Sequence, residues 1–183
     1  MSLLRKKFAA GAAFLALGGF LAACDTDDDA ADDMEIVEEG EDVVTAASIT
    51  DDADEVVASL STEGNWITAI IADVTVDEDI TVAGTFYDGG DEAEAEYRKL
   101  ALYAQDEDRN VTDEYTLTVP MMTVESPNFR IQNGTVDGDV YVDAEGFELE
   151  EATITGNLTF ASEDIESSAT MNGTVEGEVS VDE

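Results

Sequence analysis

Residues 129–142 read FRIQNGTVDGDVYV and residues 147–160 read FELEEATITGNLTF. At an offset of 18, without a gap, they share F-x-[IL]-x-x-[GA]-T-[VI]-x-G-x-[VL]-x-[VF]. TVEGEVSV at 174–181 repeats the second half of the 147–160 copy at an offset of 21. Large apolar residues alternate with polar ones in each copy, which sends one set of side chains inward from a strand and the other outward. A period near 18 is too short for a helical repeat or a propeller blade. It suits one turn of a β-solenoid, in which equivalent strands stack in parallel about 4.8 Å apart. Val136, Ile154 and Val175 then form one interior ladder, and Val140, Leu158 and Val179 a second. Thr135, Thr153 and Thr174 line a bend. Gly138, Gly156 and Gly177 hold a turn that a side chain would obstruct.

Upstream, Met122-Thr123-Val124 matches Val140-Tyr141-Val142 at the same offset of 18, and Thr81-Val82-Ala83-Gly84 matches Thr135-Val136-Asp137-Gly138 at three times that offset. Leu117-Thr118-Val119 is out of register by one. Strands are expected within Trp66–Val76, Ile80–Tyr87, Leu100–Tyr103 and Tyr115–Val119, separated by charged loops at Asp91–Glu96 and Asp106–Asn110. Before them, Thr50 to Glu55 supplies capping oxygens and first-turn acids for a short helix over 51–63. That helix would set Val56, Val57 and Leu60 on one face and end at Gly64. Downstream, Ser168 and Thr170 stand where Phe147 and Leu149 stood, which predicts a polar terminal cap hindering end-to-end growth. The fold expected is all-β: a parallel β-helix of roughly six short turns over residues 64–183, about 30 Å tall, with the helix as its N-terminal cap. A β-sandwich is the alternative, although 129–160 lacks the two-residue hairpin turns a sandwich favours.

Gly134-Thr135-Val136-Asp137-Gly138-Asp139-Val140 resembles the G-x-V-x-G-D-[IV] turn of the bactofilins, polymer-forming cytoskeletal proteins. The resemblance covers about residues 122–181. It implies a right-handed β-helix and association end to end without a nucleotide. Bactofilins are mostly cytoplasmic and carry no lipid attachment motif, and this chain departs from them there.

The chain begins with Arg5, Lys6 and Lys7 ahead of the uncharged stretch Phe8 to Ala23. A membrane span needs about 20 apolar residues. The uncharged stretch falls short of that, so 1–23 reads as a signal peptide. Leu21-Ala22-Ala23-Cys24 resembles the bacterial lipobox, with the chain's single cysteine at the position that carries lipid. A plain signal peptide with a coincidental cysteine is the alternative. Cys24 is therefore the expected lipidation site and membrane attachment point, on the outer face of the cell membrane or the periplasmic face of an envelope membrane. Asp25 to Glu55 is acidic at nearly every second position and has no Lys or Arg. Residues 24–50 accordingly read as a lipidated cysteine followed by a disordered acidic tether.

The chain of 183 residues has 45 acids, 7 bases and no histidine, for a formal charge of −38. Without residues 1–23 the balance is 45 acids against Arg98, Lys99, Arg109 and Arg130, or −41. Such a surface repels phosphate backbones, which excludes nucleic acid. It also suits high salt, where self-repulsion is screened. With no histidine there is no histidine-based triad, dyad or metal ligation. Carboxylate pairs abound and read as a solvated face, so no enzyme activity and no cofactor are expected. Asp137 and Asp139 are the candidate ligands should calcium bind, since hard cations prefer clustered oxygens. Arg98, Lys99 and Arg109 are expected to pair with neighbouring acids. The sequence thus points to a non-enzymatic envelope lipoprotein that acts as a scaffold, adhesion or self-association module. The alternative is a lipoprotein that captures divalent cations or an envelope glycan on its acidic surface.

Overall fold

The structure is a computed structural model that describes residues 47–182. The expected signal peptide, the expected lipidation site Cys24 and the expected tether up to residue 46 lie outside the described residues. In chain order the elements are β1 (Ala47–Thr50), α1 (Ala53–Leu60), β2 (Ile67–Ile70), β3 (Val74–Thr75), β4 (Ile80–Val82) and a 3-10 turn at Asp88–Gly90. Then come β5 (Arg98–Ala101), β6 (Tyr103–Gln105), β7 (Val111–Glu114), β8 (Thr116–Val124), β9 (Phe129–Gln132) and β10 (Thr135–Val142). The last are β11 (Glu148–Ile154), β12 (Leu158–Phe160), α2 (Glu163–Ser168), β13 (Thr170–Val175) and β14 (Val179–Val181).

Strands account for 48% of the described residues and build a parallel, curled sheet, so the described part is mostly β. Every strand pairing is parallel except that of the small hairpin β6–β7. The pairings fall into three ladders. The first runs β1-β2-β5-β9-β11-β13. The second stacks β3 on β8, then β10, β11 and β13. The third stacks β4 on β8, then β10, β12 and β14. Inward positions merge into one core, from Val74 and Ile80 through Leu117, Met122, Val136 and Val140 to Ile154 and Leu158. The expected ladders are realised: Val136 pairs with Ile154, which pairs with Val175, and Val140 pairs with Leu158, which pairs with Val179.

Gly138, Gly156 and Gly177 have negative or extended φ, so left-handed backbone is not what selects them. Their backbones stack: Gly156 N–H donates to Gly138 O at 3.1 Å, and Gly177 N–H to Gly156 O at 3.2 Å. A Cβ at Gly156 or Gly177 would sit 2.3 Å from the carbonyl below. Close approach, not turn conformation, demands glycine there.

Several expectations need correction. Thr81-Val82 stacks on Thr123-Val124, not on the Thr135 region, because Ile80 pairs with Met122. Two excursions absorb the extra residues: the segment 83–97 and the hairpin β6–β7. Leu117 is out of register because β8 carries one extra residue at Val119-Pro120: Thr118 pairs with Asp137, but Met121 pairs with Asp139. Proline, which cannot donate a ladder hydrogen bond, occupies that bulge.

The helix is shorter than expected and ends at Leu60, where the Ser61 N–H donates to Ala58 O. Asp52 caps its N-terminus through the Glu55 N–H. Its inward face is Val56, Ser59 and Leu60, while Val57 is 39% exposed. Residues 47–50, expected in the tether, form β1 and pair with β2. Beyond residue 64 the chain is not all strand, since α2 occupies Glu163–Ser168 under a Ser162 cap.

Candidate functional site

At the corner between the second and third ladders, Asp137 and Asp139 flank Gly138. The Thr155 hydroxyl donates to Asp137 Oδ1 at 2.6 Å. The Asn157 backbone N–H and side-chain Nδ2 donate to Asp139 Oδ1 at 2.7 and 3.2 Å. Asn157 Oδ1 in turn accepts from the Glu178 N–H at 3.0 Å. The two candidate calcium ligands thus join one level of the sheet to the next. Among the described residues, no group of three or more acidic or sulfur side chains comes together to hold a metal ion.

The cations behave differently from expectation. Arg98 is fully buried and, among the described residues, pairs with no acid; four backbone carbonyls hold its guanidinium. Nε donates to Asn65 O at 3.2 Å, Nη1 to Ala83 O at 2.6 Å, and Nη2 to Ser59 O and Ser61 O at 2.8 and 2.9 Å. The Phe86 ring lies 4.1 Å from its central carbon. Ser59 and Ser61 sit at the C-terminal end of α1, where the helix dipole favours a cation. Burial pushes the Arg98 pKa down to about 10. Arg98 thereby ties α1, the turn after it and the 83–97 excursion to β5.

Lys99, Arg130 and Glu148 follow one another along the first ladder. Arg130 forms the one ion pair among the described residues, with Glu148, and lies over the Tyr97 ring at 5.4 Å. Tyr97 packs in turn against Trp66, with ring centroids 6.0 Å apart. Burial lowers the Lys99 pKa, Arg130 lowers it further, and Asp88 opposes both.

Comparison with protein-family models, curated proteins and solved structures finds no match. The geometry alone therefore carries the functional reading.

The last level carries the remaining candidate surface. An offset of 21 sets Thr170 over Leu149 and makes the first half of this copy polar. The pairing differs there: Thr170 pairs with Glu148, and Met171 with Leu149. The offset returns to 21 at Thr174 because Gly173 alone faces both Glu151 and Ala152. Met171 therefore continues the interior column Leu100–Ile131–Leu149. It is 40% exposed and Val179 is 48% exposed. Among the described residues no strand pairs with the outer edge of β13 or β14, whereas Val56 and Leu60 of α1 are fully buried in the core. The expected polar cap is present only in part: Thr170, Asn172 and Thr174 are exposed on β13, but Met171 and Val179 open interior columns, with Glu176, Glu178 and Asp182 exposed nearby in sequence.

Proposed function

We propose that this chain is a non-enzymatic, lipid-anchored envelope protein whose folded part is a right-handed parallel β-solenoid acting as a scaffold and self-association module. Six strands on the first ladder support the count of about six levels. Parallel connections within one sheet cross right-handedly in about 98% of cases. In this reading Cys24 carries lipid and the acidic tether holds the solenoid away from the membrane.

The observation that carries the function is the open last level. Strands β13 and β14 leave backbone groups unpaired on one edge, and Met171 and Val179 expose the ends of interior columns. Such an edge is a template for pairing with another chain. At the first level α1 buries Val56 and Leu60 in the core, although β1 keeps one unpaired edge; in this reading the open last level meets its match in the same end of a second copy. That arrangement gives a closed two-fold dimer, not a filament. The exposed Glu176, Glu178 and Asp182 oppose the approach, so association strengthens as salt rises.

Sedimentation of the full chain in detergent, across a concentration series at low and molar sodium chloride, tests this. A dimer that forms with concentration and salt, and is lost in Met171→Asp, is the expected result. A monomer under all conditions, or an open-ended series of larger species, contradicts it. Mass spectrometry that finds Met1 intact, or a Cys24→Ala chain still in the membrane fraction, contradicts the anchoring.

A further inference from the structure

With Arg98 buried and Arg130 ion-paired, two cations remain among the described residues, and both line the same groove. It lies between the hairpin β6–β7 and strands β5 and β9, has a volume of about 500 Å³, and includes Lys99 and Arg109 in its wall. That size falls within the range of small-molecule sites, about 300–1,000 Å³. Neither Lys99 nor Arg109 has a carboxylate at ion-pair distance among the described residues. In a chain with 45 acids, this isolation is unexpected for Lys99, which is half-buried beside Arg130. Desolvation and that like charge both act against its ammonium, and an anion in the groove would offset both.

The other walls suit a hydroxylated ring. Tyr103 offers an aromatic face, and Gln105 and Gln132 offer side-chain amides. Glu151, also in the wall, is an acceptor for a ligand hydroxyl. The charge of the whole molecule selects among anions, because a strongly negative protein repels a dianion more than a monoanion.

We propose that this groove binds a monoanionic sugar, a saccharide unit bearing a carboxylate, with Lys99 and Arg109 meeting the carboxylate and Tyr103 the ring. The site is independent of the self-association reading: it sits on the hairpin side of the first ladder, and the open edge is the last level.

Calorimetric titration of the full chain in detergent at fixed ionic strength tests the proposal. The probes are galacturonic acid, which carries one carboxylate, its neutral counterpart galactose, and inorganic phosphate. Saturable binding of the acidic sugar alone is expected. Lys99→Gln and Arg109→Gln should each weaken it about tenfold or more, the loss expected for a charge-assisted hydrogen bond. Arg109 lies in the exposed turn of the hairpin, so Arg109→Gln reports on binding even if Lys99→Gln fails to fold. Equal binding of galactose would overturn the role of the carboxylate. Equal binding of phosphate would overturn the sugar. Absence of binding, or binding unchanged in Arg109→Gln, would overturn the site.

Discussion

The two halves of the described chain run the same three ladders with very different spacing. From Met122 onward the third ladder steps along the sequence by offsets of 18, 18 and 21, through Val140 and Leu158 to Val179, whereas Ile80 to Met122 is a step of 42. On the first ladder, the steps from Ile67 to Lys99 and from Lys99 to Arg130 are both far longer than the one from Arg130 to Glu148. The interior is nevertheless continuous. What is fixed is the alternation of buried side chains at three sites per level, and the linkers between them are free to grow. The long linkers carry the carbonyl nest around Arg98 and the cationic groove beside β6–β7.

If that contrast is right, the largest effects belong to interior columns of the regular half. Ile154→Asp would place a charge between Val136 and Val175, with no partner. It should cost more than about 4 kcal/mol and abolish the β signal in circular dichroism. Val57→Asp, on the exposed face of α1, should stay within about 0.5 kcal/mol by chemical denaturation.

Arg98→Met sharpens the comparison. It removes the guanidinium from all four carbonyls; Ser59 O and Ser61 O keep the Asn65 and Gly64 N–H donors, while Asn65 O and Ala83 O lose theirs, a loss of about 3 kcal/mol or more. Hydrogen exchange should accelerate through 47–101 and leave 129–160 protected. Uniform acceleration would mean that the two halves unfold as one unit.

Much of the regular half is legible in the sequence, because an uninterrupted period of 18 aligns inward residues directly. The irregular half is not. Insertions erase a period while leaving the pairing intact, so the sequence sets Thr81 against Thr135 when its partner is Thr123. The last level is obscured for a related reason. A one-residue deletion at Gly173 shifts the first half of that copy, and the shift turns an apparent Thr170 in the core into Met171. Arg98 does leave a signal: Arg98, Leu100 and Leu102 alternate in phase, which places the arginine on the inward side of β5. Nothing in the sequence indicates that four carbonyls converge on it, since they come from distant segments of the chain.

A smaller effect is expected at the glycine column. Gly156→Ala would bring a methyl within 2.3 Å of Gly138 O, and the backbone shift should cost about 1–3 kcal/mol. A small effect also belongs to the hairpin. Residues 104–113 make an excursion whose ends already meet, with the Tyr115 N–H donating to Leu102 O at 2.8 Å. Replacing them with two glycines should change stability by about 1 kcal/mol or less, a difference thermal melting resolves.

The claim that the irregular half shares the ladders of the regular one can be tested by a cross-link. Thr81 and Thr123 are paired neighbours on the third ladder although far apart in sequence. Adjacent parallel strands lie within the Cα separation of about 4.4–6.8 Å that a disulfide spans. In a Cys24→Ser chain carrying Thr81→Cys and Thr123→Cys, mild oxidation should close the bond nearly completely and raise the melting temperature. Failure to close, or a Thr81→Cys, Thr135→Cys chain that closes instead, would contradict the shared ladders.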